Sequence, residues 1–410
     1  MKLNEGYCFE NRVLQNRVVF QPMEGCDCEA DGSLSNLAKK RYLTFAKSGA
    51  GIIWFEATAV CEEGRTNLHQ MMLKDDNLAS FRIFLNEIRN ISIRENGYAP
   101  LLIVQLTHSG RQSMKPMIAY RNEIYEKCRP LDDSFIVTDE YLDLLPDRFA
   151  RSARLAELAG FDGVDMKSCH GYLLQEMLSA FRRPGKYGGC FENRSRLFLD
   201  CIRAIKRTVS KDFLVASRIS VTDMVPYPNG FGTDSENRLD LKEPKKLISE
   251  IHKLGVGLIN ITLGNPYYNP HVNRPFRTGA YNPGEKPEEG LRRFWNVEKE
   301  LKMTFPSITF VGSGLSYYRE KLIEKSEEML ESGVCDLVGY GRETLAYPTF
   351  YRDYLEGKFE AKKCCVTCSR CSELMRGKCV VGCAVFNPFY KGLYENEIKK
   401  KEATGKEKPA

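Results

Sequence analysis

Short runs of β-branched and apolar residues recur eight times along this 410-residue chain, each followed by a longer amphipathic stretch, and that alternation most restricts the fold. The runs lie at residues 17–20, 52–56, 101–106, 163–167, 214–219, 258–262, 308–311 and 337–339. Most are apolar throughout, which fits strands covered on both faces. Between them, helical patterns occupy residues 37–47, 81–94, 147–158, 196–209, 245–254, 318–332 and 350–355. Gly49, Gly160, Gly255 and Gly333 follow four of these, where a helix commonly ends on a left-handed residue. Eight such units predict a closed α/β fold, a (β/α)8 TIM barrel over residues 1–360, in preference to an open doubly wound sheet. A cysteine-rich segment at 361–394 and a charged, frayed tail at 395–410 follow.

Three connections leaving the C-terminal ends of strands are long, at residues 107–138, 168–193 and 263–293. Barrels build their sites from the loops of this face, and loops of such length inside a compact domain are usually functional. The third, rich in Asn, Pro, Tyr and Gly, reads as a cover over a small-molecule substrate; a surface loop without contact to substrate is the plainer alternative.

The turns after the last two strands read Gly312-Ser313-Gly314 and Gly339-Tyr340-Gly341-Arg342. Barrels often bind phosphate at this place. Glycines let backbone N–H groups approach phosphate oxygens, and an arginine adds a bidentate donor fork. Any tight turn uses glycine, so the signal is their coincidence with Arg342 on consecutive units. A phosphorylated cofactor is expected there, with Gly312, Gly314, Gly341 and Arg342 around the phosphate.

Polar residues also sit at strand ends where apolar ones belong: Gln105, Arg218 and the group Lys167, His170 and Tyr172. Buried polar groups need partners. A flavin ring edge would supply them, since a glutamine amide can pair with its carbonyl and N–H groups and an arginine stabilises the reduced anion. An internal hydrogen-bond network without a ligand is the alternative for each residue taken singly.

The run from Gly160 through Met166-Lys167-Ser168-Cys169-His170-Gly171-Tyr172 to Leu174, followed by Tyr187-Gly188-Gly189 and Glu192-Asn193-Arg194, closely resembles the old yellow enzyme family. The likeness extends to Val18-Val19-Phe20-Gln21-Pro22-Met23, to Gln105-Leu106-Thr107-His108-Ser109-Gly110-Arg111 and to the turn ending at Arg342, and covers about residues 10 to 390. It implies a barrel carrying FMN, contacted by Pro22, Met23, Ala57, Gln105, Arg218, Gly314 and Arg342, with Tyr172 as proton donor. One departure stands out. Many reductases of the family open the substrate-gripping pair with a histidine, and this chain has Lys167 there, with His170 retained as the second member.

Of the chain's 15 cysteines, Cys364, Cys365, Cys368, Cys371, Cys379 and Cys383 crowd into one short segment. The N-terminus lacks a secretory apolar region and no stretch approaches a membrane span, so a cytoplasmic protein with reduced thiols is expected. Three thiolates at two-residue gaps with a distant fourth suit a cuboidal iron–sulfur cluster. Zinc is the rival, although its sites usually draw two ligands from each of two separated knuckles. On spacing alone either Cys379 or Cys383 could be the fourth ligand. The pattern is similar to the cluster motif of the branch containing trimethylamine dehydrogenase and bacterial 2,4-dienoyl-CoA reductase, which implies a 4Fe-4S cluster on Cys365, Cys368, Cys371 and Cys383.

The expected activity is reduction of an activated C=C bond in an enoate, enoyl thioester or enone, with electrons relayed through the cluster. Lys167 and His170 would hold the substrate's carbonyl or carboxylate while Tyr172 protonates the adjacent carbon. An amine dehydrogenase or demethylase running the flavin oxidatively, a Schiff-base lyase on Lys167 and a non-catalytic electron-transfer subunit are the competing readings. The resembling cluster-bearing proteins continue into a nucleotide-binding region, so a separate donor is expected: ferredoxin, a flavoprotein or an NAD(P)H-oxidising subunit. A homo-oligomer is possible, but the scattered net charge of +6 gives no basic arm for nucleic acid.

Overall fold

The computed structural model describes residues 1–279 and 281–399. A hairpin of β1 (Tyr7–Phe9) and β2 (Arg12–Leu14) precedes eight strands: β3 (Val18–Phe20), β4 (Ile52–Ala59), β5 (Leu101–Thr107), β6 (Gly163–Met166), β7 (Leu214–Ser220), β8 (Leu258–Thr262), β9 (Thr309–Gly312) and β10 (Leu337–Tyr340). All eight pair in parallel and in chain order, and β10 closes on β3. The apolar runs thus become the staves of the expected barrel.

Strand periodicity explains how the interior changes from apolar to polar. Val19, Trp54, Ile103, Ala216, Leu258 and Val311 pack with Phe9 and Leu14 of the hairpin, which plugs the N-terminal end. Side chains alternate along a strand. Two residues further along, the same inward face carries Gln21, Gln105, Asp165, Arg218, Asn260 and Ser313, all buried. The register sets Gln105 beside Asp165 and Arg218 beside Asn260. The barrel is therefore floored by polar groups at the end where its sites belong.

Outside the strands pack α1 (Asn36–Ala46), α2 (Leu78–Asn96), α3 (Asp139–Ala159), α4 (Phe191–Thr208), α5 (Lys242–Lys253), α6 (Pro287–Thr304), α7 (Leu322–Glu331) and α8 (Phe350–Leu355). Two helices depart from expectation. Helix α3 begins at Asp139 and runs through Pro146, because Thr138 caps it by accepting from the Tyr141 N–H at 3.2 Å. Helix α6 was not foreseen, and it shortens the long loop expected at 263–293 to residues 263–286. Its Leu291, Phe294, Val297 and Leu301 form a buried stripe at helical spacing.

The loop after β3 is tied down by a buried ion cluster. Arg41 on α1 donates to Asp27 at 2.7 and 2.9 Å and also pairs with Glu56, which sits at a bulge in β4. Burial raises Glu56 to about 7, against the opposing pull of Arg41. Asp27, Cys28 and Glu56 are the one set of three metal-capable ligand atoms within 4.8 Å of one another among the described residues. The Arg41 guanidinium already supplies the positive charge there.

The cysteine-rich segment lies against the barrel. The Cys365 N–H donates to Glu343 at 2.9 Å, Arg376 to the Pro266 carbonyl at 3.0 Å and the Val381 N–H to the Gly25 carbonyl at 2.7 Å. Helices α9 (Arg370–Arg376) and α10 (Pro388–Tyr394) share a small core of Leu374, Ala384, Tyr390, Tyr394 and Ile398. Residues Glu395–Lys399, expected to be frayed, instead continue α10 as a helical turn because Ile398 is buried in that core. The remainder of the expected tail lies outside the described residues. No helix among the described residues is long and apolar enough to cross a membrane.

Candidate active site

A cavity opens at the C-terminal end of the barrel, with about 1020 Å³ of space between its walls counted out to the mouth. Strand ends build its floor. Gln105 donates from Nε2 to Asp165 at 2.6 Å, and Asp165 also accepts from Trp54 Nε1 at 3.0 Å and the Arg218 backbone N–H at 2.5 Å. Burial raises Asp165 to about 6, and the Gln105 and Arg218 donors oppose that rise. On the facing side Gln21 donates to Asn260 at 3.1 Å and to Ser313 Oγ at 2.7 Å. The network fixes where Gln105 and Arg218 stand.

Several buried donors are left over. Arg218 Nε, Asn260 Nδ2, Arg274 Nε, Arg342 Nη1 and His170 Nε2 have no hydrogen-bond partner among the described residues. Leaving such groups unpaired costs about 1–3 kcal/mol each. A ring with several acceptor atoms and a phosphate, as in FMN, would pair the arginine and asparagine donors and leave His170 to a substrate, so the residues present fit that cofactor.

Pro22, Met23, Ala57, Gln105, Arg218, Gly314, Gly341 and Arg342 all line the cavity, as do Lys167, His170 and Tyr172. Gly314 has φ +91, open to glycine at little cost, and a side chain on Gly341 would meet Met23 Sδ at 3.1 Å. Gly312 is the exception among the expected residues. It is not part of the lining, and a side chain there would strike Cys335 and Met329 at 2.8 and 2.9 Å. Its bareness serves the packing of α7 beneath the turn, where Glu298 on α6 accepts from the Ser313 N–H at 2.8 Å.

The loop after β6 supplies the opposite wall. Lys167 is 4% exposed and Tyr172 is 2% exposed. Burial lowers Lys167, and it lowers His170 further, aided by Arg218 and Lys167. The imidazole is thus neutral at ordinary pH. Burial and then Glu24 raise Tyr172, keeping its phenol protonated.

Sequence reasoning missed Glu24, Tyr267 and Arg274, which line the same cavity. Tyr172 donates to Glu24 Oε2 at 3.3 Å, and the Tyr267 hydroxyl lies 3.4 Å from that of Tyr172. Burial, then Arg342 and Arg376, lower Arg274 to about 10. Glu24 had one available signal, a charged residue next to Pro22-Met23 at a strand end. Tyr267 and Arg274 come from an irregular loop with no periodicity to mark them.

The cysteine-rich segment borders this cavity through Ser372 and Met375. Burial raises the thiols of Cys365, to about 12, Cys371 and Cys383; Arg342 opposes the first two, while Cys371 bears on Cys365 and Cys368 on Cys371. Cys383 also feels both Cys371 and Cys368. Thiolates around one zinc, at about 2.3 Å from the metal, would lie within about 4 Å of each other. No three of these thiols lie within 4.8 Å of one another among the described residues. Cys379 instead bonds the Gly377 carbonyl and packs against the small core, and buried Cys364 bears on Glu343.

Residues 5–358 match the model of the NADH:flavin oxidoreductase / NADH oxidase family. The chain is 26% identical over 407 residues to an NADH oxidase of Thermoanaerobacter brockii, matching 95% of this chain and 57% of that one. It is 27% identical over 406 residues to a cinnamate reductase of Clostridium sporogenes, across 95% of this chain and 58% of the relative. In fold it is similar to a 2-naphthoyl-CoA reductase solved with 2-naphthoyl-CoA, at a TM-score of 0.79 and 18% identity over 96% of this chain and 58% of that one. The chain thus spans little more than half the length of each of these three.

Proposed function

The chain belongs to the NADH:flavin oxidoreductase / NADH oxidase family, and from that premise we propose that it reduces an activated C=C bond conjugated to a carboxylate, thioester or ketone. Family membership makes it a flavin oxidoreductase and sets aside the Schiff-base lyase. One observation supports the choice of reaction: a buried ammonium and a neutral imidazole face the cavity beside a buried, protonated phenol. Lys167 and His170 grip the substrate's oxygen and draw charge toward it. Tyr172 gives its proton to the carbon next to the polarised group. The printed name of the cinnamate reductase relative supports an enoate as one candidate substrate.

Gln105 and Arg218 would hold the ring of FMN and Gly314, Gly341 and Arg342 its phosphate, and when bound it would supply hydride transfer and link one-electron to two-electron chemistry. Cys365, Cys368, Cys371 and Cys383 would hold a 4Fe-4S cluster bordering that site, reduced by a separate carrier such as ferredoxin or a flavoprotein. The Glu24 carboxylate beside two phenols favours a second reading, oxidation of an amine, since it offers a cation a partner. Anaerobic product analysis separates them. Cinnamate or an enone given to chemically reduced protein should return the saturated product; if only amines are turned over, the oxidative reading takes its place.

A further inference from the structure

We propose that Glu24 returns the proton to Tyr172 after each turnover, drawing it from water at the cavity mouth. The proposal rests on the alkene reduction argued above. Each alkene reduced takes up one hydride and one proton. As the carbon–hydrogen bond forms, the Tyr172 O–H breaks and leaves a phenolate in a buried site. That phenolate must regain a proton before the next substrate is reduced.

Tyr172 meets bulk water poorly, being 2% exposed. The groups facing it are few. Lys167 Nζ lies over the ring, 3.6 Å from its centroid. Tyr267, from the loop after β8, is itself a phenol raised by burial and is a poor donor. Cys26, from the loop after β3, is a thiol held well above its ordinary range by burial. Among the described residues Glu24 alone joins the Tyr172 hydroxyl to a carboxylate, accepting from it at Oε2 at 3.3 Å. Its other oxygen, Oε1, accepts from Thr66 Oγ1 at 2.9 Å, and both residues are half-buried where Tyr172 is closed off. The carboxylate can therefore take a proton from the mouth and release one at Oε2 to the phenolate. Nothing is gained or lost in the exchange but one proton from water.

A relay has a kinetic mark that a positioning role lacks. The first turnover starts with Tyr172 already protonated, so in Glu24→Gln the first equivalent of alkene should be slowed far less than the later ones. Later turnovers should slow by about 10- to 100-fold, less than the loss of the acid itself. Added formate or imidazole should restore much of that rate, and Glu24→Asp should keep part of it. The contact is read independently in substrate-free, oxidised protein by ζ-13C-tyrosine NMR, with the Tyr172 resonance assigned by its loss in Tyr172→Phe. That resonance should move in Glu24→Gln. An unmoved resonance, unchanged steady-state turnover, or a first turnover slowed as much as later ones and insensitive to added acids each overturns the relay. A wild-type protein that reduces no alkene overturns the functional reading and the relay with it, and this is seen before any substitution is made.

Discussion

The Lys167 ammonium lies 3.6 Å from the centroid of the Tyr172 ring, so the cation and the phenol form one unit on the wall of the cavity. A cation held over a desolvated aromatic face gains about 2 kcal/mol. That offsets part of the cost of burying a lysine which has no carboxylate within ion-pair distance among the described residues. The charge stays available to a ligand.

Lys167→Met should therefore weaken carboxylate and phenolate ligands by about 10- to 100-fold, the worth of one hydrogen bond to a charged group. Neutral ligands should change far less. Because burial lowers Lys167, the wild-type protein should lose anion binding as pH rises through that lowered value, earlier than an exposed lysine would. Titrating a phenolate ligand by its absorbance measures both effects. Equal binding by the variant would mean that the lysine does not meet the ligand.

Tyr172→Phe should keep its flavin and slow alkene reduction by about 10²–10⁴-fold. Reduction of the flavin by dithionite should be spared. Stopped-flow measurement of the two half-reactions separates these outcomes, and normal turnover of an enone would place the proton donor elsewhere.

FMN and not FAD should be released from denatured protein. The glycine turns around Ser313 and Tyr340 end the cavity where a mononucleotide phosphate would sit, with Arg342 8% exposed beside them. Chromatography of the extract checks this, and recovery of FAD alone would contradict it.

The strands were legible because each apolar run is covered on both faces, so local composition and final position agree. Four helix ends were legible for a similar reason, with Gly49, Gly160, Gly255 and Gly333 all at positive φ. Helix α6 was obscured because Glu288, Glu289, Arg292 and Arg293 flank its apolar stripe and follow a loop rich in Pro and Gly. Gln105, Arg218 and Tyr172 announced themselves as polar residues at strand ends. Glu24 meets Tyr172 only because the barrel closes: the two lie 148 positions apart, on loops that no local pattern joins.

Arg41→Met should destabilise the protein by about 3–5 kcal/mol, since it strands Asp27 and Glu56 as buried carboxylates without their cation. Their only relief is protonation. The Glu56 carboxyl already stands at about 7, raised above an unfolded carboxylate, so its burial favours the folded state at low pH and weighs against it as pH climbs through that value. The variant's loss should therefore be larger at pH 8 than at pH 6, as thermal denaturation at the two values would show. A loss independent of pH would assign the cost to packing alone.

Cys365, Cys368, Cys371 and Cys383 are half-buried, and the segment they share borders the cavity at Ser372 and Met375. A cluster there would be an entry point for single electrons from a carrier docking outside. Cys368→Ser should lose iron and sulfide while retaining flavin, whereas Cys379→Ser should keep all three, because Cys379 is turned toward the Gly377 carbonyl and the small core. Rapid anaerobic mixing with reduced ferredoxin, NADH and NADPH then tests the route. Ferredoxin should reduce the flavin in the wild type and fail in Cys368→Ser. If either nicotinamide reduces the flavin at the rate of turnover in that variant, hydride reaches the cavity directly and the cysteines hold the segment together without carrying electrons.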